Sequence, residues 1–143
     1  MRKQTREIHI GNLTIGGNYP VAVQSMLNVP IKDIAGNVAQ AKRLEAEGCQ
    51  IIRVTVPSLA DVAVIAALKE AVSMPVVADI HFDYKIALAC VEAGVDKIRI
   101  NPGNIGADEN VRAVAEACNA KNIPIRIGVN GGSLEKEILA KYG

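Results

Sequence analysis

The sequence is short of the residues that several protein classes need. It has no tryptophan, one phenylalanine and three tyrosines, so few rings are available for stacking on nucleic-acid bases. Its 16 basic and 15 acidic side chains leave a formal charge of +1, without the basic excess of a nucleic-acid footprint. No apolar run approaches the ~20 residues of a membrane span, and the start, MRKQTREIHIG, lacks an apolar signal-peptide core. These absences predict a soluble, cytoplasmic protein. Only three cysteines occur, Cys49, Cys90 and Cys118, scattered and without a CxxC pair. That pattern argues against a disulfide framework and against a metal site, and predicts buried structural thiols.

What is present is apolar material. Half of the 143 residues are hydrophobic, enough for the core of one globular domain, and no linker or low-complexity segment divides the chain. Residues 5–17 predict a hairpin with Gly11 and Asn12 at a two-residue turn. A strand-then-helix unit then recurs about every 25 residues, the pattern of a parallel sheet. Strands are predicted over 21–26, 50–56, 76–80, 97–101 and 125–130. Helices are predicted over 33–47, 58–72, 83–93, 107–121 and 133–142. Ser58 with Asp61 forms a capping pair, and Asp33 and Asp83 are placed to accept from free backbone N–H groups. Ile34, Val38 and Ala41 share one helical face, as do Val111, Val114, Ala115 and Cys118. Gly48, Gly94 and Asn122 stand where a helix ends on a left-handed residue.

Side chains alternate across a strand, so residues two apart share a face. One parity collects Val54, Val56, Ala78, Ile80, Ile98, Ile100, Ile125, Ile127 and Val129. The other collects Arg53 and Thr55, Asp79 and His81, Arg99 and Asn101, and Arg126, Gly128 and Asn130. A doubly wound sheet is covered by helices on both faces and needs both parities apolar. A β/α barrel carries helices outside only, and its inward side chains turn polar at the C-terminal mouth. The loop after the first strand, QSMLNVP, also lacks a G-x-G-x-x-G dinucleotide motif. The fold class expected is therefore α/β: parallel β/α repeats forming an incomplete TIM-type barrel. About five units are present, whereas a full barrel takes roughly 200 residues or more.

Arg53, Arg99 and Arg126 then gather at the mouth, with Asn101 and Asn130 nearer the rim. Two guanidinium groups about 8 Å apart repel by roughly 2 kcal/mol at an effective dielectric near 20. One carboxylate, Asp79, does not balance three arginines, so a bound anion is the economical explanation. Arginine forks match phosphate oxygens, and asparagine amides and the backbone N–H groups of NPGNIG add donors. The alternative is ordinary ion pairing with carboxylates elsewhere in the chain. Asp79 and His81 share a face, which permits an acid/base or hydroxyl-binding role. Lys85 and Lys97 read as solvated surface charges. Gln24, Ser25 and Asn28 either line the mouth or make loop hydrogen bonds.

The stretches VQSM (23–26), VADIHFDY (77–84), RINPGNIG (99–106), and PIRIGVN (124–130) followed by GSLEK (132–136) resemble the 4-hydroxy-3-methylbut-2-enyl diphosphate synthase family. The likeness runs over essentially the whole chain. It implies an oxidoreductase of the methylerythritol phosphate route to isoprenoids, which reductively opens 2-C-methyl-D-erythritol 2,4-cyclodiphosphate. In that family an N-terminal barrel binds substrate, and a C-terminal domain carries a 4Fe-4S cluster reduced by flavodoxin or ferredoxin. The resemblance implies that Arg53, Arg99, Asn101, Arg126 and Asn130 hold the diphosphate, with Asp79 and His81 facing the methylerythritol portion. SMLNVPIKD departs from the family's threonine-rich first loop. The three cysteines do not match the cluster ligands, so the 143 residues alone are expected to bind no cluster and to turn over no substrate.

Two other readings compete. MLNVP resembles the first-strand motif of pterin-binding barrels of the dihydropteroate synthase type. An open half-barrel with exposed edge strands also suits a non-catalytic assembly module or a homo-oligomer.

Overall fold

Gly11 takes φ +57°, the left-handed conformation that a tight hairpin turn requires. It joins β1 (Ile8–Ile10) to β2 (Leu13–Ile15), which pair antiparallel with Ile10 opposite Leu13. The computed structural model describes residues 3–134 and 136–142. Beyond the hairpin, five strands form one parallel sheet in sequential order: β3 (Gln24–Met26), β4 (Ile51–Thr55), β5 (Val76–Ile80), β6 (Lys97–Ile100) and β7 (Ile125–Ile127). Sequential parallel order with helical crossovers is the arrangement of a barrel wall, and among the described residues the wall does not close.

The helices are α1 (Ile34–Ala46), α2 (Ala63–Ala71), α3 (Tyr84–Glu92), α4 (Pro102–Ile105), α5 (Asp108–Ala120) and α6 (Lys136–Tyr142). Their starts show the expected chemistry at two places. Asp33 accepts from the Gly36 N–H at 2.8 Å, and Asp83 accepts from the Lys85 N–H at 2.9 Å. Gly48, Gly94 and Asn122 all take positive φ after their helices.

The apolar parity packs outward. Ile52, Val54, Val76, Ala78, Ile80, Ile98 and Ile100 join Ile65 and Leu68 of α2, Cys90 of α3 and Val114 of α5 in one buried core. Each fully buried Ile, Leu or Val contributes on the order of 2 kcal/mol relative to exposure. The opposite parity begins apolar at the N-terminal ends of the strands. Ile51 and Val77 pack with Ile10, and Leu13, Ile15 and Ala22 support them. The hairpin thus floors the concave face, and the polar residues stand above this floor.

Several expectations need correction. Ser58 makes no backbone cap; its hydroxyl donates to Asp61 at 2.5 Å, and a 3-10 turn, Leu59–Val62, precedes α2. Ala115 is exposed, and Ala117 packs against the core in its place. The helix expected over 107–121 follows a separate short turn, α4, because Gly106 adopts φ +97° between them. β7 ends at Ile127, and Ile127 and Val129 are 56% and 54% exposed instead of helix-covered. α6 begins at Lys136 rather than 133; Glu135 of the GSLEK motif lies outside the described residues.

Candidate functional site

The strand register decides which polar residues meet. Met26 stands opposite Arg53, Arg53 opposite Val77, and Val77 opposite Lys97. One step nearer the mouth, Thr55 stands opposite Asp79, Asp79 opposite Arg99, and Arg99 opposite Arg126. In-register partners in a parallel sheet point to one face. The three arginines therefore share a face, but not a level: Arg53 lies one step closer to the hairpin floor than Arg99 and Arg126.

Asp79 is the hub of this layer and is only 1% exposed. Arg53 Nη2 donates to its Oδ2 in a short contact, and Arg99 Nη1 donates to its Oδ1 at 3.1 Å. His81 Nε2 lies 3.5 Å from Oδ2, while its side chain is about half exposed at the rim. Burial opposes ionisation of Asp79, but the hydrogen bonds and charges of Arg53 and Arg99 outweigh it and hold its carboxyl below the usual range. The ion-pair alternative thus accounts for part of Arg53 and Arg99.

Two cations remain over. Arg126 is exposed and, among the described residues, makes no ion pair. Lys97 is a correction: it is half-buried on the same parity as Arg99, not a solvated surface charge. Desolvation, then the charges of Arg126 and Arg53, depress its pKa. The alternation that identified Arg99 also placed Lys97 two residues earlier on that face, so the signal was present in the sequence. Lys85 is exposed as expected. The concave face therefore carries Arg53, Lys97, Arg99 and Arg126 with one carboxylate that pairs with two of them, an arrangement suited to an anion with more than one negative charge.

Arg99 is held from a second side. Its Nη2 donates to the Gly128 carbonyl at 3.1 Å, while the Gly128 N–H donates to the Ile100 carbonyl at 2.9 Å. Asn101 is buried, and its Oδ1 accepts from the Gly103 N–H at 3.2 Å; the Asn104 N–H donates to the Asn101 carbonyl at 2.9 Å. The NPGN turn therefore spends two of the NPGNIG backbone donors, the Gly103 and Asn104 N–H groups, on its own closure. Asn130 is exposed beyond β7. Asn28 is tied to α1, since Gln40 Nε2 donates to its Oδ1 at 2.6 Å, and so belongs to loop bonding. Gln24 and Met26 share the Arg53 face, whereas Ser25 alternates away from it.

Other features lie apart from this layer. A cavity of about 640 Å³, lined by Thr5, Gly16, Tyr19 and Pro20 among others, contains none of the candidate residues. The three cysteines are buried free thiols; burial pushes Cys90 up to about 12 and Cys118 up to about 11. Among the described residues no three His, Cys, Asp or Glu group together to hold a metal ion, and no helix is long and apolar enough to cross a membrane.

A family model described as the GcpE TIM-barrel domain matches residues 5–143. A 4-hydroxy-3-methylbut-2-en-1-yl diphosphate synthase (flavodoxin) of Caldanaerobacter subterraneus subsp. tengcongensis is 59% identical over 143 residues, which is 100% of this chain and 40% of that protein. The protein of the same name from Fusobacterium nucleatum subsp. nucleatum is 54% identical, again over 100% and 40%. Among solved structures, dihydropteroate synthase of Yersinia pestis aligns with a TM-score of 0.68 at 16% identity, covering 94% of this chain and 51% of that one. The Xanthomonas albilineans dihydropteroate synthase with 4-aminobenzoic acid aligns at 0.65 and 17%, covering 96% and 56%. At such identities the structural likeness shows a shared barrel framework alone.

Proposed function

The chain belongs to the GcpE TIM-barrel domain family, and from that premise we propose that it forms the substrate-binding part of a 4-hydroxy-3-methylbut-2-en-1-yl diphosphate synthase. It spans about 40% of the length of the curated relatives it matches, so the complete reaction is assigned to the complete gene product. That reaction is the reductive opening of 2-C-methyl-D-erythritol 2,4-cyclodiphosphate to the linear allylic diphosphate. Flavodoxin, named in the relatives, supplies the electrons, and the cytoplasm is the setting in which the two meet.

The observation that carries this reading is the cationic concave face: Arg53, Lys97, Arg99 and Arg126 share it with one buried carboxylate, which pairs with Arg53 and Arg99. Arg99 and Arg126 are adjacent across β6 and β7, and like charges side by side weaken a sheet unless something compensates. A cyclic diphosphate supplies that compensation. Arg53, Arg99 and Arg126 bind phosphate oxygens, and Asn101 and Asn130 line the rim. The ionised Asp79 accepts from substrate hydroxyls, with His81 beside it facing the methylerythritol portion.

The 4Fe-4S cluster implied by the family does not fit the described residues. Cys49 precedes β4, Cys90 lies in α3 and Cys118 in α5, all buried, with no metal-holding group formed. The open edges at β3 and β7 are where further strands or a second copy would pair.

Isothermal titration of the complete gene product tests the assignment. The cyclic diphosphate should bind, and a pterin should not. Pterin binding without diphosphate binding would overturn the proposal in favour of the dihydropteroate synthase reading.

A further inference from the structure

At Gly128 the place of the missing side chain is occupied by a cation of the candidate site. A Cβ built there would lie 2.5 Å from Arg99 Nε, 2.9 Å from its Nη2 and 3.1 Å from its Cζ. No atom pair survives at the first of these distances, so an alanine at 128 and Arg99 in its present place exclude each other. The glycine is not needed for the backbone: Gly128 is absent from the positive-φ residues, so any L-residue can adopt its conformation. Its own N–H is bonded to the Ile100 carbonyl, an ordinary continuation of the β6–β7 pairing. What the missing side chain provides is room for a guanidinium.

That room is also directional. Arg99 is only 12% exposed, with one nitrogen on Asp79 and another on the Gly128 carbonyl. The guanidinium turns its Nε–Nη2 edge toward the glycine, between a carboxylate on β5 and a carbonyl just beyond β7. A methyl group at 128 would lift it off this seat while leaving the strand in place, because the clashing atoms form the movable end of a long side chain. Arg126, two residues earlier on the same parity, would stay where it is.

We infer that Gly128 is a positioning residue for the anion site: its bare backbone seats Arg99 against Asp79 and so fixes the direction in which the Arg99 charge meets a bound diphosphate. The inference rests on the anion-binding reading of the concave face for its functional part. Its geometric part stands without it.

The test uses the complete gene product with Gly128→Ala, Arg99→Ala and the double variant, and two readouts. In the ligand-free protein, the Arg99 Nε–Hε resonance should shift in Gly128→Ala while the Arg126 resonance stays. In titration with inorganic pyrophosphate, Gly128→Ala should weaken binding by roughly tenfold or more, since small misplacements of a charged contact are costly. In the Arg99→Ala background the same substitution should change affinity less than about twofold, because the group it displaces is gone. An unmoved Arg99 resonance overturns the inference, as does an affinity loss that persists undiminished without Arg99. If Gly128→Ala alone is unstable, the double variant should be no less stable than Arg99→Ala, and a further loss beyond that single variant would also overturn it. If the wild-type protein binds no pyrophosphate, the anion reading fails, and the resonance alone decides whether the seat exists.

Discussion

Arg53 stands opposite Val77 in the β4–β5 ladder, yet its guanidinium pairs with Asp79, two residues further along the same strand. The long side chain climbs one level toward the mouth and meets there the Asp79 carboxylate that Arg99 also holds. One buried acid thus ties three strands, β4, β5 and β6, at the height where the candidate site begins.

Removing that acid strands two cations. Asp79→Asn should destabilise the barrel by about 3 kcal/mol at neutral pH, the scale for breaking a buried ion pair from one side. Chemical unfolding followed by circular dichroism measures it. A loss below about 0.5 kcal/mol would show that the arginines find other partners.

The same carboxylate sets an acid limit. Its folded pKa lies below its unfolded value, near 3.9 for an aspartate. Its contribution to stability is therefore fully present above about pH 4 and lost as pH falls through the lower, folded value. The melting temperature of wild type should fall in that acid window more steeply than that of Asp79→Asn.

Arg99 and Arg126 should separate in their effects although they are neighbours. Arg126 is exposed and without an ion pair among the described residues, so Arg126→Ala should change stability by less than about 0.5 kcal/mol. It should still weaken cyclic diphosphate binding about tenfold, the scale of a lost charged hydrogen bond. Arg99→Ala should lower both stability and affinity. Equal stability losses would contradict the pairing of Asp79 with Arg99 and not with Arg126.

Lys97 gives the site a proton linkage. Desolvation and the neighbouring arginines depress its pKa, and a bound anion raises it again by setting a negative charge against the ammonium. Binding at alkaline pH should therefore take up protons. The cyclic diphosphate is a clean probe, because its phosphates hold no proton in that range. Titrations in buffers of different ionisation enthalpy should reveal the uptake in wild type and lose it in Lys97→Met.

The thiols should be silent in the folded protein. Cys49, Cys90 and Cys118 are buried, and Cys90 and Cys118 are pushed up to about 12 and 11, far from thiolate formation at neutral pH. Peptide mapping after alkylation should find the three unmodified before denaturation and modified after it. Rapid native labelling of Cys90 would contradict its place in the α3 core.

Much of this protein was legible in one dimension. Alternation along β4, β5 and β6 separates a core face from a polar face because the strand period is two, whatever the neighbours are. The sequential β/α pattern follows from helix caps such as Asp33 and Asp83 and from left-handed stops such as Gly48 and Gly94, all local effects. The hairpin turn at Gly11 is equally local. These features determined an open parallel wall with cations on its inner side.

The relative heights of the strands depended on tertiary structure. Register places Arg53 below Arg99 and sets Thr55, not Arg53, opposite Asp79. Lys97 had the right parity, but its depressed pKa depends on its burial and on the charges of Arg126 and Arg53 from other strands. Asn101 belonged to a polar face by alternation, yet its oxygen is drawn into the NPGN turn by a donor two residues away. Gly128 shows the division most sharply. In sequence it is a glycine after a strand; in space it is the gap into which Arg99 fits. Periodicity fixes which way a side chain points, whereas the partner it meets depends on how far each strand has slid past the next.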